Sequence, residues 1–122
     1  MTLKELYLSI DGDYDQGIRI LRMEKLMDKH IRKFSKNGIV ERLLAAGEAK
    51  DPVEIFESAH AMKGICGNLG LKDLSDLASD LAEEFRPGNV RKLTDDEVAR
   101  KLAVIAAKYQ KAADGIRRYE EG

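Results

Sequence analysis

The stretch His60-Ala61-Met62-Lys63-Gly64-Ile65-Cys66-Gly67-Asn68-Leu69-Gly70 alternates apolar and polar residues at the spacing of an α-helix rather than a strand. At about 100° per residue, with Phe56 set at zero, Ile55, Ala59, Met62, Ile65, Cys66 and Leu69 fall roughly between 180° and 300° and form one apolar stripe. His60 lands near about 40°, Lys63 near 340°, Gly67 near 20° and Gly64 near 80°, all away from that stripe. The imidazole therefore points outward, with an amine one turn further along at the i, i+3 spacing that lets side chains meet. Each glycine inside a helix costs roughly 1 kcal/mol relative to alanine, so two beside the imidazole point to a close approach by something else.

The flanking residues bound this helix. Asp51-Pro52 reads as an N-cap followed by proline in the first turn, and Gly70 as the stop. Beyond it Leu71, Leu74, Leu77, Leu81 and Phe85 recur at spacings of three and four, an amphipathic helix ending before Pro87-Gly88 and folding back as a hairpin. Thr94-Asp95-Asp96-Glu97 has capping-box spacing and opens a last long helix with a stripe of Val98, Leu102, Ile105, Tyr109, Ala112 and Ile116. Upstream, a helix over about residues 2–10 precedes the Asp11-Gly12-Asp13 turn, where Asp13 is an N-cap. One helix is then expected from about Tyr14 towards Phe34, with Ile18, Leu21, Leu26 and Ile31 among its apolar positions. Ser35-Lys36-Asn37-Gly38 breaks it, and a shorter helix from about Ile39 to Ala46 ends near Gly47. Only two prolines interrupt the chain and no β-branched alternation occurs, so the fold expected is all-α: an antiparallel four-helix bundle with an additional N-terminal helix.

At 122 residues the chain is expected to form a single domain spanning residues 1–122. Charged residues make up 35% but sum to a net charge of -1, which gives no footprint for nucleic acid and no polybasic membrane patch. Sparse aromatics and the absence of tryptophan argue against a base-stacking surface. Cys66 is the only cysteine, which rules out an internal disulfide and a thiolate metal cluster and fits a reducing compartment. The first residues carry acid early and lack a long apolar run, so they resemble neither a signal peptide nor a spanning helix, and a cytoplasmic location is expected. No unassigned apolar stripe calls for a second copy, so a monomer is expected.

His60-Ala61-Met62-Lys63-Gly64, followed by Asn68-Leu69-Gly70 and the leucine-rich Leu71-to-Phe85 helix, resembles the histidine-containing phosphotransfer (HPt) domain family. The resemblance extends to Gly12-Asp13-Tyr14 and to Ala46-Gly47-Glu48-Ala49-Lys50-Asp51, spanning about residues 12–86. It implies an intermediate in multistep phosphorelay, which takes a phosphoryl group from an aspartate on a response-regulator receiver domain, or from a hybrid histidine kinase, and passes it to another receiver. His60 would be the phospho-acceptor. Lys63 would disfavour the imidazolium by like-charge repulsion and later pair with phosphate oxygens. Gly64 and Gly67 would clear space for the receiver, and Phe56 would lie on the partner-binding surface. Ile65 departs from the small residue usual just after the glycine, at the edge of the apolar stripe. The resemblance implies a phosphocarrier and not an enzyme, with no cofactor of its own: Mg²⁺ and acidic groups would come from the receiver. No Walker or kinase glycine loop is present, so ATP is not expected to be used directly.

Other readings place less on these residues. A helical adaptor would dock signalling partners through Phe56 and the glycines without accepting phosphate. A metalloenzyme would use Asp73, Asp76, Asp80, Glu83 and Glu84, but carboxylates spread along an amphipathic helix are ordinarily its solvated face, and no bound metal is expected. Cys66 and Met62 read as core filler. His30, beside Lys29, Arg32 and Lys33, reads as part of a solvated basic face with no assigned role.

Overall fold

The computed structural model describes residues 1–122 as seven helices without strands: α1 (Leu3–Ser9), α2 (Tyr14–Leu21), α3 (Glu24–Phe34), α4 (Ile39–Ala49), α5 (Pro52–Asn68), α6 (Lys72–Glu84) and α7 (Asp95–Glu121). Helices α4 to α7 form the antiparallel four-helix bundle, each packed on its neighbours in a closed ring. Cross-links along α7 fix the directions. Tyr109 donates from its hydroxyl to the Glu41 carboxylate at 3.0 Å, Gly47 abuts Leu102, and Lys50 pairs with Asp95 at 3.7 Å, so α4 and α7 run oppositely. Lys108–Asp73 at 3.4 Å and Lys101–Asp80 at 4.0 Å set α6 against α7 in the same sense. Thr94 and Glu97 form the expected capping box, and the six residues of the α7 stripe are all buried. At about 1.5 Å per residue α7 is roughly 40 Å long. Its first half completes the bundle; its second half carries α1 and α3, with Phe34 edge-on to Tyr109 at 5.6 Å.

Two expectations about helix limits are corrected. The helix from Tyr14 to Phe34 is broken at Arg22, which has φ 71° and caps α2, and at the extended Met23, after which α3 begins. The inward residues explain the break: counted from Ile18, the α2 set Tyr14, Gly17, Ile18 and Leu21 centres about 120° away from the α3 set Met27, Ile31 and Phe34, so no straight helix buries both. A left-handed non-glycine residue costs about 1–2 kcal/mol, less than the roughly 1.5–3 kcal/mol gained on burying each of Met27, Ile31 and Phe34. Leu26 belongs to neither set and is exposed. Gly47, read as a stop, lies inside α4, which continues to Ala49 and ends on Lys50 at φ 52°. A Cβ at Gly47 would sit 2.2 Å from Leu102 Cδ1, so this glycine serves the α4–α7 crossing.

One connected cluster of 28 buried residues fills the interior and draws on every helix except α2, whose Tyr14, Ile18 and Leu21 pack against it half-buried. The start of the chain is tied to the end of α5. Tyr7 donates from its buried hydroxyl to the Leu69 carbonyl at 2.7 Å, and the Asp13 amide donates to the Gly70 carbonyl at 2.8 Å. Gly70 closes α5 at φ +75°, and a Cβ there would lie 2.2 Å from the Asp13 carbonyl oxygen, so only glycine fits. The α6–α7 connection is held by Glu84, whose carboxylate accepts from the amides of Lys92 at 2.8 Å and Leu93 at 2.7 Å. No helix is long and apolar enough to cross a membrane.

Candidate functional site

Helix α5 starts as its sequence predicts, with Asp51 accepting from the Glu54 amide at 3.2 Å and Pro52 in the first turn. Ile55, Ala59, Met62, Cys66 and Leu69 of the apolar stripe are buried, while Ile65 at its edge is half-buried. Ser58, the one buried polar residue, donates from its hydroxyl to the Glu54 carbonyl at 2.7 Å and so stays within its own helix. Burial pushes the Cys66 thiol up to about 12, which keeps it protonated.

The opposite face carries His60, Lys63 and Gly64, all exposed. The His60 ring makes no hydrogen bond within the protein. It is held by stacking on Phe56 one turn earlier, with centroids 5.7 Å apart and planes 20° from parallel. Phe56 is half-buried against the core, so it is a floor for the imidazole rather than a freely exposed contact. None of the ion pairs involves Lys63, so its ammonium is uncommitted. By contrast Glu57, three residues before His60, is paired with Arg42 at 3.6 Å, and Glu54 is bonded to the same guanidinium. That guanidinium holds the Glu54 carboxyl below the usual range. The acids on this side of α5 are thereby drawn towards α4 and away from the imidazole.

The two glycines differ. A Cβ on Gly64 would meet nothing within 4 Å, so the surface beside His60 is open. A Cβ on Gly67 would lie 3.3 Å from Ser75 Oγ, and that hydroxyl donates to the Lys63 carbonyl at 3.0 Å. Gly67 thus faces α6, whose hydroxyl bonds to the α5 backbone under Lys63. Sequence spacing placed Gly67 on the His60 face; the contact with Ser75 depends on the register of the α5–α6 hairpin, which spacing within one helix does not contain.

No group of three or more His, Cys, Asp or Glu side chains converges in a ligand arrangement. On α6, Asp73 and Asp80 are turned to lysines of α7. His30 stands away from His60. With Lys33, Asn37, Ile65 and Asn68 it borders a groove of about 270 Å³ between α3 and the end of α5, a juxtaposition that reading His30 among its sequence neighbours alone did not reveal.

Residues 24–115 match the family model described as the Hpt domain. A curated relative, the chemotaxis protein CheA of Halobacterium salinarum (strain ATCC 29341 / DSM 671 / R1), is 36% identical over 71 residues, covering 56% of this chain and 10% of that protein. The chain thus matches about a tenth of the relative's length. No solved structure matches. The matched segment starts at α3 and ends within α7, leaving α1 and α2 outside it.

Proposed function

The chain belongs to the Hpt domain family, and on that premise we propose that it is a phosphorelay intermediate carrying a phosphoryl group on the imidazole of His60. The donor is an aspartyl phosphate of a receiver domain, or a histidine kinase, and the acceptor is the aspartate of another receiver. In the transfer the unprotonated ring nitrogen of His60 attacks phosphorus while the acyl phosphate P–O bond breaks and the aspartate leaves as carboxylate; the proton on the other ring nitrogen is then released to solvent. Such transfers depend on positioning and charge stabilisation more than on covalent help from the protein. Phe56 supplies the positioning by restricting the ring to the plane stacked on it. The Lys63 ammonium, one turn from His60 and without a carboxylate partner, donates to phosphate oxygens after transfer. Gly64 leaves the approach clear. The receiver supplies Mg²⁺ and the acids that hold it.

The observation that carries this reading is an exposed imidazole, unbonded at both ring nitrogens and stacked on an aromatic floor, with an unpaired lysine one helical turn further along. Receiver domains of the source organism, charged with acetyl phosphate, should transfer acid-labile phosphate to the wild type and none to His60→Gln. The exposed position of His60 should leave the melting temperature of that variant unchanged. Equal labelling of both proteins removes His60 as the carrier, whereas receiver binding without labelling of either identifies a docking adaptor.

A further inference from the structure

The outer face of α3 carries cations that the fold does not use. Lys25, Lys29 and Lys33 recur every fourth residue and therefore stand in one row along the helix, with Arg19 and Arg22 just before them at the α2 end. None of these five makes an ion pair, although ten of the twenty-one lysines and arginines do. Of the acids on these two helices, Asp28 is bonded to Arg32 and to the Tyr119 hydroxyl, on the α7 side, while Asp15 and Glu24, nearer Arg19 and Lys25, form no ion pair and leave the row from Lys29 to Lys33 unanswered. Like charges at i, i+4 destabilise a helix, so the row works against the fold that displays it. The net charge of -1 conceals this, because exposed acids such as Asp76, Asp80 and Glu83 lie on α6.

The last lysine of the row, Lys33, borders the groove between α3 and α5. Asn37 spends its side-chain oxygen on the Ile39 amide at 3.0 Å, which leaves its NH₂ free, and the Asn68 side chain has no intramolecular hydrogen bond. Asn68 is one turn beyond Gly64 and two beyond His60 on the same helix. We propose that the Lys25–Lys29–Lys33 row and this amide-edged groove are a second docking surface, which takes an acidic segment of the receiver domain while its active site faces His60. This rests on the phosphotransfer reading and adds to it the part of the partner that meets α3. Uncompensated cations and free amide donors complement carboxylates, and the surface is continuous with the open strip of α5. A lipid face would interleave apolar residues with the cations; within the row only Leu26 does so, although Ile20 and Met23 are exposed beside Arg19 and Arg22, and the vesicle measurement below separates the two occupants.

Charges at the rim of an interface act mainly on association and its salt dependence. Transfer from the receiver domains of the source organism, charged with acetyl phosphate, is measured on the wild type, on Lys25→Gln/Lys29→Gln/Lys33→Gln, and on a control with Lys92→Gln/Arg100→Gln/Arg118→Gln, which removes three other exposed, unpaired cations. The row variant should raise KM about tenfold at low ionic strength with kcat within about twofold, and the gap should close towards about 0.5 M salt. The control should match the wild type, and relief of like-charge contacts should leave the row variant at least as heat-stable. Identical KM and salt dependence in the row variant and the wild type overturn the proposal. So does loss of sedimentation with phosphatidylserine vesicles in the row variant with transfer unaltered, which assigns the row to lipid. Receiver binding is titrated separately: if it weakens in the row variant while wild-type His60 is never labelled, the docking surface stands and the phosphotransfer reading falls.

Discussion

Phe56 and His60 form an i, i+4 pair in which one ring is anchored and the other is not. Phe56→Leu keeps an apolar side chain against the core and removes the flat face. We expect the melting free energy to change by about 1 kcal/mol, the His60 ring-proton NMR signals to lose their ring-current shift, and the transfer rate constant to fall about three- to tenfold through lost orientation. Unchanged NMR signals would show that the stack does not order the ring. At Gly64 the expected outcome has the opposite sign for stability: glutamine should stabilise the helix by roughly 0.5–1 kcal/mol on propensity alone, since its Cβ meets nothing. The same substitution should weaken receiver binding, measured by titration calorimetry, by filling the open surface. The outward placement of His60, Lys63 and Gly64 was legible in the sequence because it needs only the angle between residues of one helix. The same angle puts Phe56 beside His60, but that the rings stack depends on side-chain rotamers, and that Gly67 answers Ser75 depends on a neighbouring helix, on neither of which a single helix's periodicity speaks.

Among the elements, the caps were readable before the contacts. Asp13, Asp51 and Thr94 act as N-caps because a short side chain with an oxygen satisfies amides that the helix leaves free, a local fact. The break at Arg22 carries no glycine or proline, and its signal is the rotation of the apolar stripe between Ile18 and Met27. Gly47 shows the reverse, a breaker residue retained inside a helix where the Leu102 side chain of a distant helix packs into the space a Cβ would take. The α6–α7 connection gives an element-scale prediction. Hydrogen bonds from the Leu93 and Lys92 amides, together with Arg91, hold the Glu84 carboxyl below its ordinary value. A carboxyl depressed in the folded state adds stability above the unfolded value of about 4.3, and that stability is lost as pH falls through the folded value. Glu84→Gln should therefore lower stability at pH 7, by about 2 kcal/mol for weakened charge-assisted bonds. The deficit should shrink well below the unfolded value of about 4.3, at a pH where wild-type Glu84 is protonated in the folded state as well. Denaturant melts at both pH values check this; a deficit independent of pH would mean the charge is immaterial.

In the whole molecule, α7 joins the bundle to the N-terminal helices, and one core runs through both. Cys66 reports on that core, being fully buried with a thiol pushed up to about 12. Native protein at pH 8 should leave it unlabelled by a disulfide reagent over hours, and labelling should rise with the unfolded fraction in denaturant; prompt stoichiometric reaction without denaturant would show that α5 opens locally. The bundle and its order were legible from four amphipathic stripes and short connections. The charge asymmetry was not, because a net charge sums over faces that the fold separates. The bond from Tyr7 to the Leu69 carbonyl bears on portability. Leu3, Leu6, Tyr7 and Ile10 are all buried, yet they precede the matched segment, as does the Asp13 clasp on Gly70. A chimera engineer who transplanted residues 24–115 alone would carry off α5 with the Leu69 carbonyl stripped of its donor and the α7 seat of Ile10 laid bare. The smallest transplantable unit is larger than the smallest recognisable one.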